Sequence, residues 1–387
     1  MSKTPKVKKN KKVEITLEPD GFSIHTFELS MQLSEVEWKK CKQRLYAEQE
    51  KMGEYWLYPD KQHGGHICTR YADAGIRIRL EHNDTGNGKT TCFVRVIVNP
   101  RRLVSQKKEY LGIFPPDKDS IELLEKAFYS VLKKSPLPAD IRQYYLTRVD
   151  LCTNIRCKNN KVFRELVRLL RKTATPKKYE RKFYQSRDRK KANQYNKHYI
   201  RIACDSQELV IYDKTYQMDE SGLAVDYEKL NSGVLRIEAH YVRAKLRRIE
   251  RTLCDDDPLA VIRFLMQESK PRIIKLVEKC YPPLDYLAYD EAQMRIEQSS
   301  FQPETRKRMQ TLLDQMQRKQ TIDAAFAWME MHGMQTGGLL RKFEELGINP
   351  IPLRQGYAAS RMPSLPEILR NVDEKPVTVA LCYWKWK

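Results

Sequence analysis

Apolar positions recur every second residue in some stretches of the chain and every third or fourth in others, and the two periods alternate. "FSIHTFELSMQL" (22–33) reads as a strand. In the following "SEVEWKKCKQRLYAEQEKM", Ser34 stands three residues before Glu37, a capping box that opens a helix. "GIRIRLEHNDTGNGKTTCFVRVIVNP" reads as two strands around a turn-rich loop, and "DSIELLEKAFYSVLKK" as an amphipathic helix capped by Asp119 or Ser120. The pattern then comes round again. "YLTRVDLCTNI" is a strand, "KVFRELVRLLRKTA" a helix, "HYIRIACDSQELVIYDK" a hairpin turning near Asp205 and Ser206, and "GVLRIEAHYVRAKLRRIERTL" a strand entering a basic helix. Both halves read strand, helix, strand, strand, without shared sequence. This order predicts one α+β domain over 19–255, built on a largely antiparallel central sheet with helices on one face.

The flanks differ. Residues 1–12 hold Lys3, Lys6, Lys8, Lys9, Lys11 and Lys12 and no acid, which predicts a disordered basic tail over 1–18. From 256 onward Pro258, Pro271, Pro282 and Pro283 punctuate stretches of helical period, and Gly347 and Pro350 stop the last of them, "LLRKFEELGINP". A helical domain over 256–350 and a Pro-rich C-terminal tail over 351–387 are expected. The helical domain suits either a three-helix DNA-binding arrangement or a packing and dimerising role.

Charge narrows the class of partner. The 387 residues carry a net charge of +21, a surplus that suits a polyanion: nucleic acid first, an anionic membrane second. No stretch approaches the ~18 to 20 apolar residues of a membrane span, and "MSKTPKVKKNKK" lacks the apolar core of a secretory signal, so a soluble, intracellular protein is expected. Nine cysteines without a Cys-x-x-Cys pair argue against a zinc ribbon and against a disulfide framework. Nucleotide-binding glycine motifs are missing, and "HGGH" (His63–His66) reads as a loop.

Candidate chemistry sits on three strands: "TRVDLC" with Asp150, "LVIYDK" with Tyr212 and Lys214, and "LRIEAH" with Glu238 and His240. Strand alternation puts Arg148, Asp150 and Cys152 on one face, and Arg236, Glu238 and His240 on one face. Acids in mid-strand need partners. They form an arginine–carboxylate ladder with Arg148 and Arg236, face solvent, or, with His240, make a site for a hard divalent cation, Mg2+ or Mn2+. Tyr212 and Lys214 share a face, so Lys214 could hold a phosphate oxygen beside a tyrosine nucleophile, while Asp213 points the other way.

Between the second helix and the hairpin the chain is strongly basic. Residues 156–201 hold 17 Lys and Arg against 3 acids, interleaved with tyrosine and phenylalanine. Basic and aromatic residues together suit a nucleic-acid strand held by its phosphates and stacked through its bases. The expected contacts are Lys177, Lys178, Arg181, Lys182, Arg187, Arg189, Lys190, Lys191 and Tyr195, joined by Arg243, Lys245, Arg247 and Arg248 in the helix after Glu238.

The order "TRVDLC", "ELVIYDKTYQ", "VLRIEAHYVRAKL" resembles that of rolling-circle replication initiators and relaxases of the Rep_trans type, and of filamentous-phage gene II replication proteins. The resemblance covers roughly residues 145–250. It implies a metal-dependent nickase acting at an origin, with single-stranded or hairpin DNA, a host polymerase and a helicase as partners, in the cytoplasm of a bacterial host. Carried over, Asp150 and Glu238 become candidate metal ligands and Tyr212 the candidate nucleophile, with Tyr216 close enough to compete. Two other readings stand beside it: a DNA-binding regulator without catalysis, and a protein that binds single-stranded RNA.

Overall fold

The structure, a computed structural model, describes residues 11–60, 64–84, 90–105, 111–223, 232–371 and 377–383. Its fold is α+β, with helices packed on a large antiparallel sheet of 12 strands. The strands are β1 (Lys11–Pro19), β2 (Ser23–Leu33), β3 (Leu57–Pro59), β4 (His66–Cys68), β5 (Ile76–Asp84), β6 (Thr90–Val98), β7 (Tyr145–Cys157), β8 (Glu180–Lys182), β9 (Tyr199–Ala203), β10 (Gln207–Asp213) and β11 (Gly233–Val242), with a short side sheet of β12 (Tyr286–Leu287) and β13 (Arg361–Met362), and finally β14 (Val377–Tyr383). The main order is β3-β4-β5-β6-β2-β7-β11-β10-β9-β8, and β1 joins the end of β7 to β14.

The hydrophobic pattern decides which side of the sheet is covered. Val149, Leu151 and Ile155 of β7, and Leu235, Ile237 and Ala239 of β11, are fully buried on one face. Against it lie α1 (Glu35–Met52), α2 (Pro100–Ser105) and α3 (Lys118–Leu132) in the first half, then α4 (Asn160–Arg171) in the second. Gly233 marks how closely α4 approaches: a Cβ there would lie 2.4 Å from the Phe163 ring, so no larger residue fits. The opposite face carries the polar residues of the same strands.

Two shorter helices, α5 (Arg189–Tyr195) and α6 (Lys214–Glu220), flank β9 and β10, and α7 (Arg243–Leu253) continues β11. Next come α8 (Pro258–Gln267) and α9 (Ser269–Cys280), which pack on β2 and β7, so the expected break at 255/256 falls between helices that share one sheet. Beyond them α10 (Tyr289–Glu297), α11 (Pro303–Arg318), α12 (Ile322–Met331) and α13 (Leu339–Glu345) form the expected helical region, stopped at Gly347 with φ 65°.

Both ends correct the expectation. Residues 11–19 are strand rather than disordered tail, because Ile15 and Leu17 are buried against β14 and β7. The Pro-rich end also folds: Ile351, Leu353 and the helix α14 (Leu365–Arg370) are buried in the same core. The capping box at Ser34 is present, with both reciprocal hydrogen bonds. The cap of α3 is Asp117, immediately before the helix, whose side chain accepts from the Ser120 N–H, rather than Asp119 or Ser120.

Candidate active site

Antiparallel register lines up the polar face in rows. Thr26 of β2, Asp150 of β7, His240 of β11 and Glu208 of β10 lie directly across from one another. In the next row Glu238 stands between Cys152 and Val210, and beyond it Arg236 stands between Asn154 and Tyr212. Asp150, Glu238, His240 and Tyr212, read as candidates from strand parity, therefore converge.

Their hydrogen bonds close the cluster. The Tyr212 hydroxyl donates to Glu238 Oε1 at 2.8 Å, and His240 Nε2 lies 2.9 Å from Glu238 Oε2 and 3.8 Å from Asp150 Oδ1. Arg148 Nε donates to Asp150 Oδ1 at 2.6 Å, and Thr26 donates to the other oxygen. On the far side His240 Nδ1 is 3.4 Å from Glu208, whose carboxylate takes both arms of Arg201 at 2.7 and 3.0 Å. The arginine ladder is thus half realised. Arg148 meets its acid, whereas the buried Arg236 donates to Asn154 Oδ1 at 2.8 Å and to the Leu111 carbonyl at 3.2 Å.

Charge follows from this packing. Burial alone would push the His240 imidazole down, but the Asp150, Glu208 and Glu238 carboxylates raise it to about 9. Glu238 is held below the usual carboxylate range in spite of its burial, by His25, His240 and Arg236. Burial and the neighbouring Glu238 push the Tyr212 hydroxyl well above its usual 10. Burial, with Arg236 adding repulsion, brings the Lys214 amine down to about 8.

Lys214 is the first residue of α6, not a continuation of the strand, yet its Nζ still lies 5.9 Å from the centre of the Tyr212 ring. Asp213 turns away as expected: it caps α6 and lies 3.1 Å from His198 Nδ1. Tyr216 is helical too, half-buried, and stacked on the His198 ring at 3.9 Å, outside the carboxylate cluster. Rings continue from the site to the surface. Tyr199 is 6.5 Å from Tyr212, Tyr195 is 5.3 Å from Tyr199, and the exposed Tyr184 is 4.5 Å from Tyr195.

The basic residues divide. Lys177, Lys178, Lys182, Arg187, Arg189, Lys190, Lys191, Arg247 and Arg248 are exposed, and Lys245 is half-buried over the Tyr241 ring. Arg181 and Arg243 are half-buried and already have partners within the protein. The Arg181 guanidinium donates to the Arg171 and Thr173 carbonyls at 2.7 and 2.9 Å, and Arg243 donates to the Leu146 carbonyl and to Glu250, so both tie backbone segments together. His63 lies outside the described residues, and His66 opens β4 with its ring against Trp38 and Tyr46. The cysteines that are described are free thiols, most of them buried.

His25 and Thr26 are the site residues the pattern reading missed. The register between β2 and β7 slips at His25, a β-bulge that turns both side chains to the polar face. His25 Nε2 lies 3.7 Å from Glu238, and burial holds its imidazole down at about 4. A signal was present: buried Ile24 is followed by buried Phe27, three residues on, where alternation demands two. Glu208 shares the parity of Tyr212 and was legible in the same way.

Asp150 and Glu238 offer the oxygen donors a hard cation takes, and His240 adds an imidazole nitrogen, a donor of transition-metal sites. Among the described residues, no group of three or more His, Cys, Asp or Glu side chains is already spaced to hold one. The surrounding carboxylates favour the protonated imidazole of His240, whereas Arg148 Nη2, 3.0 Å from its Nδ1, favours the neutral ring that ligation needs.

No protein-family model and no curated protein matches the chain. Among solved structures it is similar to a rolling circle replication initiator protein from Geobacillus stearothermophilus, with 12% identity over 68% of this chain and 85% of that one, and a TM-score of 0.29. No helix among the described residues is long and apolar enough to cross a membrane.

Proposed function

We propose that the polar face cuts one strand of DNA by tyrosine transesterification, in the manner of a replication initiator or relaxase. One observation carries the reading: the Tyr212 hydroxyl is already hydrogen-bonded to Glu238 inside a cluster that also holds Asp150 and His240. In the step, Tyr212 Oη bonds to phosphorus, the P–O3′ bond breaks, and the tyrosine proton passes by way of Glu238 to the departing 3′ oxygen. The products are a 5′-phosphotyrosine and a free 3′ hydroxyl that a host polymerase extends, with a helicase opening the duplex.

Asp150, Glu238 and His240 would hold a divalent cation, which would neutralise the carboxylates and polarise the phosphodiester. Burial does most to keep Tyr212 protonated, and a cation would offset the second cause, the negative field of Glu238. Lys214 would hold a phosphate oxygen. The chain of tyrosine rings to Tyr184, with the exposed lysines and arginines around it, suits a single strand stacked through its bases.

One observation favours a rival, a DNA-binding protein whose acids are structural: Arg148, His240 and Tyr212 leave few carboxylate oxygens without a partner. Incubating the full chain with Mg2+ or Mn2+ and a labelled single-stranded oligonucleotide library decides. A covalent adduct that survives denaturant is expected, absent in Tyr212→Phe and retained in Tyr216→Phe. The reverse pattern moves the nucleophile to Tyr216. No adduct in either metal, with DNA still bound, returns the rival.

A further inference from the structure

Beside the cluster the sheet face hollows into a cavity of about 310 Å³, at the lower end of the range for small-molecule sites. His25, Thr26 and Lys214 form its wall on the side of the cluster. Across from them stand Arg77 of β5 and, near α2, Arg101 and Arg102, while Ile97, Ile113 and Phe114 give an apolar side. None of the described residues lining it is an acid. Concave walls lined by one sign of charge concentrate ions of the other sign.

The cations differ in how they are held. Arg102 pairs with Asp73 at 2.8 Å, and Arg101 donates to the Ile113 carbonyl at 2.6 Å. The backbone lies flat on that second guanidinium, since a Cβ on Gly112 would fall 2.0 Å from Arg101 Cζ. Arg77 is exposed and makes no ion pair with any described residue. The buried amine of Lys214 has the Gln217 side chain for a partner at 2.6 Å. A built basic wall facing an apolar one matches the two halves of a nucleotide.

We propose that this cavity seats one nucleotide of the DNA strand, its phosphate against Arg77 and Lys214 and its base toward Ile97, Ile113 and Phe114. The proposal rests on the nicking reading, because it makes this nucleotide the neighbour of the phosphodiester under attack. The N-terminal half of the sheet then supplies the grip, and the C-terminal half the chemistry.

Thymidine 3′,5′-bisphosphate, one nucleoside with a phosphate on each side, is the probe. Calorimetric titration of the full chain should show it binding at least tenfold more tightly than inorganic phosphate. Arg77→Ala, an exposed change that spares the fold, should weaken it tenfold or more, and Arg77→Lys should recover most of that loss. A single-stranded thymidine oligonucleotide should displace it. Unchanged binding in Arg77→Ala, or equal binding of inorganic phosphate, overturns the proposal, and failure of the oligonucleotide to compete overturns the assignment to the strand. Tyr212→Phe should bind the bisphosphate as wild type does. Bisphosphate binding without any covalent adduct would therefore sink the nicking reading alone, and a normal adduct with no bisphosphate binding would sink the pocket alone.

Discussion

Read outward from the centre of the sheet, the N-terminal half runs β2, β6, β5, β4, β3 and the C-terminal half β7, β11, β10, β9, β8. The frame is the same, and both halves put acids on the uncovered face. In the first half Glu28, Glu81 and Asp60 each meet a guanidinium. Arg95 bridges Glu28 at 2.7 Å and Glu81 at 2.8 Å, and Arg79 reaches Asp60 at 3.2 Å. In the second half Arg148 and Arg201 hold the outer oxygens of Asp150 and Glu208, the buried Arg236 donates to Asn154, and between them His240 and Tyr212 sit among Asp150, Glu238 and Glu208. A guanidinium keeps its proton at every working pH, whereas an imidazole or a phenol can give one up. One ladder is thus inert, and the other has exchangeable protons where a phosphodiester would arrive.

The largest expected effect tests that asymmetry. Asp150→Asn or Glu238→Gln should lower adduct formation on the order of a thousandfold, the scale of a lost acid–base or metal contribution, while thermal melting shows a folded chain. Glu81→Gln should do the opposite, costing about 1 to 3 kcal/mol of stability by weakening its bond to Arg95, with adduct formation unchanged. If Glu238→Gln and Glu81→Gln destabilise alike and neither alters DNA chemistry, both ladders are structural.

Titration should separate the halves next. His240 is raised from 6.5 to about 9 by its carboxylate neighbours. A group raised on folding contributes stability that is fully present below pH 6.5 and lost as pH rises through about 9. In chelator, wild type should therefore lose up to about 3 kcal/mol relative to His240→Gln across that window, read from urea unfolding at stepped pH. Taking the difference between the two proteins removes Lys214, which is lowered to about 8 and acts in the opposite sense. The N-terminal ladder, built on guanidinium groups, should show no such window when Glu81→Gln is compared in the same way.

Much of this was legible in the alternation of the strands. Parity within each strand grouped Asp150 with Arg148 and Glu238 with His240, and the antiparallel register then carries these groups and Tyr212 onto one face. What parity could not give was a slip in register: the bulge at His25 brings in two residues that regular alternation sends to opposite faces. Partners distant in sequence were also hidden. β1 looked like the end of a lysine-rich tail because its mate, β14, lies at the other end of the chain. The carbonyl partners of Arg181 and Arg243 were hidden too, because main-chain carbonyls, which every residue has, leave no mark in a sequence.

That last distinction gives the smallest effect and a direct way to sharpen the map of the C-terminal half. Arg187, Arg189, Lys190 and Lys191 stand exposed around α5, close to the ring of Tyr195, and Arg181 lies nearby in the chain with its guanidinium bonded to two carbonyls. Each cation that neutralises a phosphate of a single strand contributes about 0.7 to the slope of log affinity against log salt. Replacing the four exposed residues by alanine should flatten that slope by up to about 3, with little change in melting temperature. Arg181→Ala should leave the slope as it is and lower the melting temperature, since two partly buried carbonyls lose their donor. Should Arg181→Ala flatten the slope by about 0.7 and leave melting untouched, its guanidinium exchanges its carbonyls for phosphate when DNA binds, and the line between structural and contacting arginines would have to be redrawn.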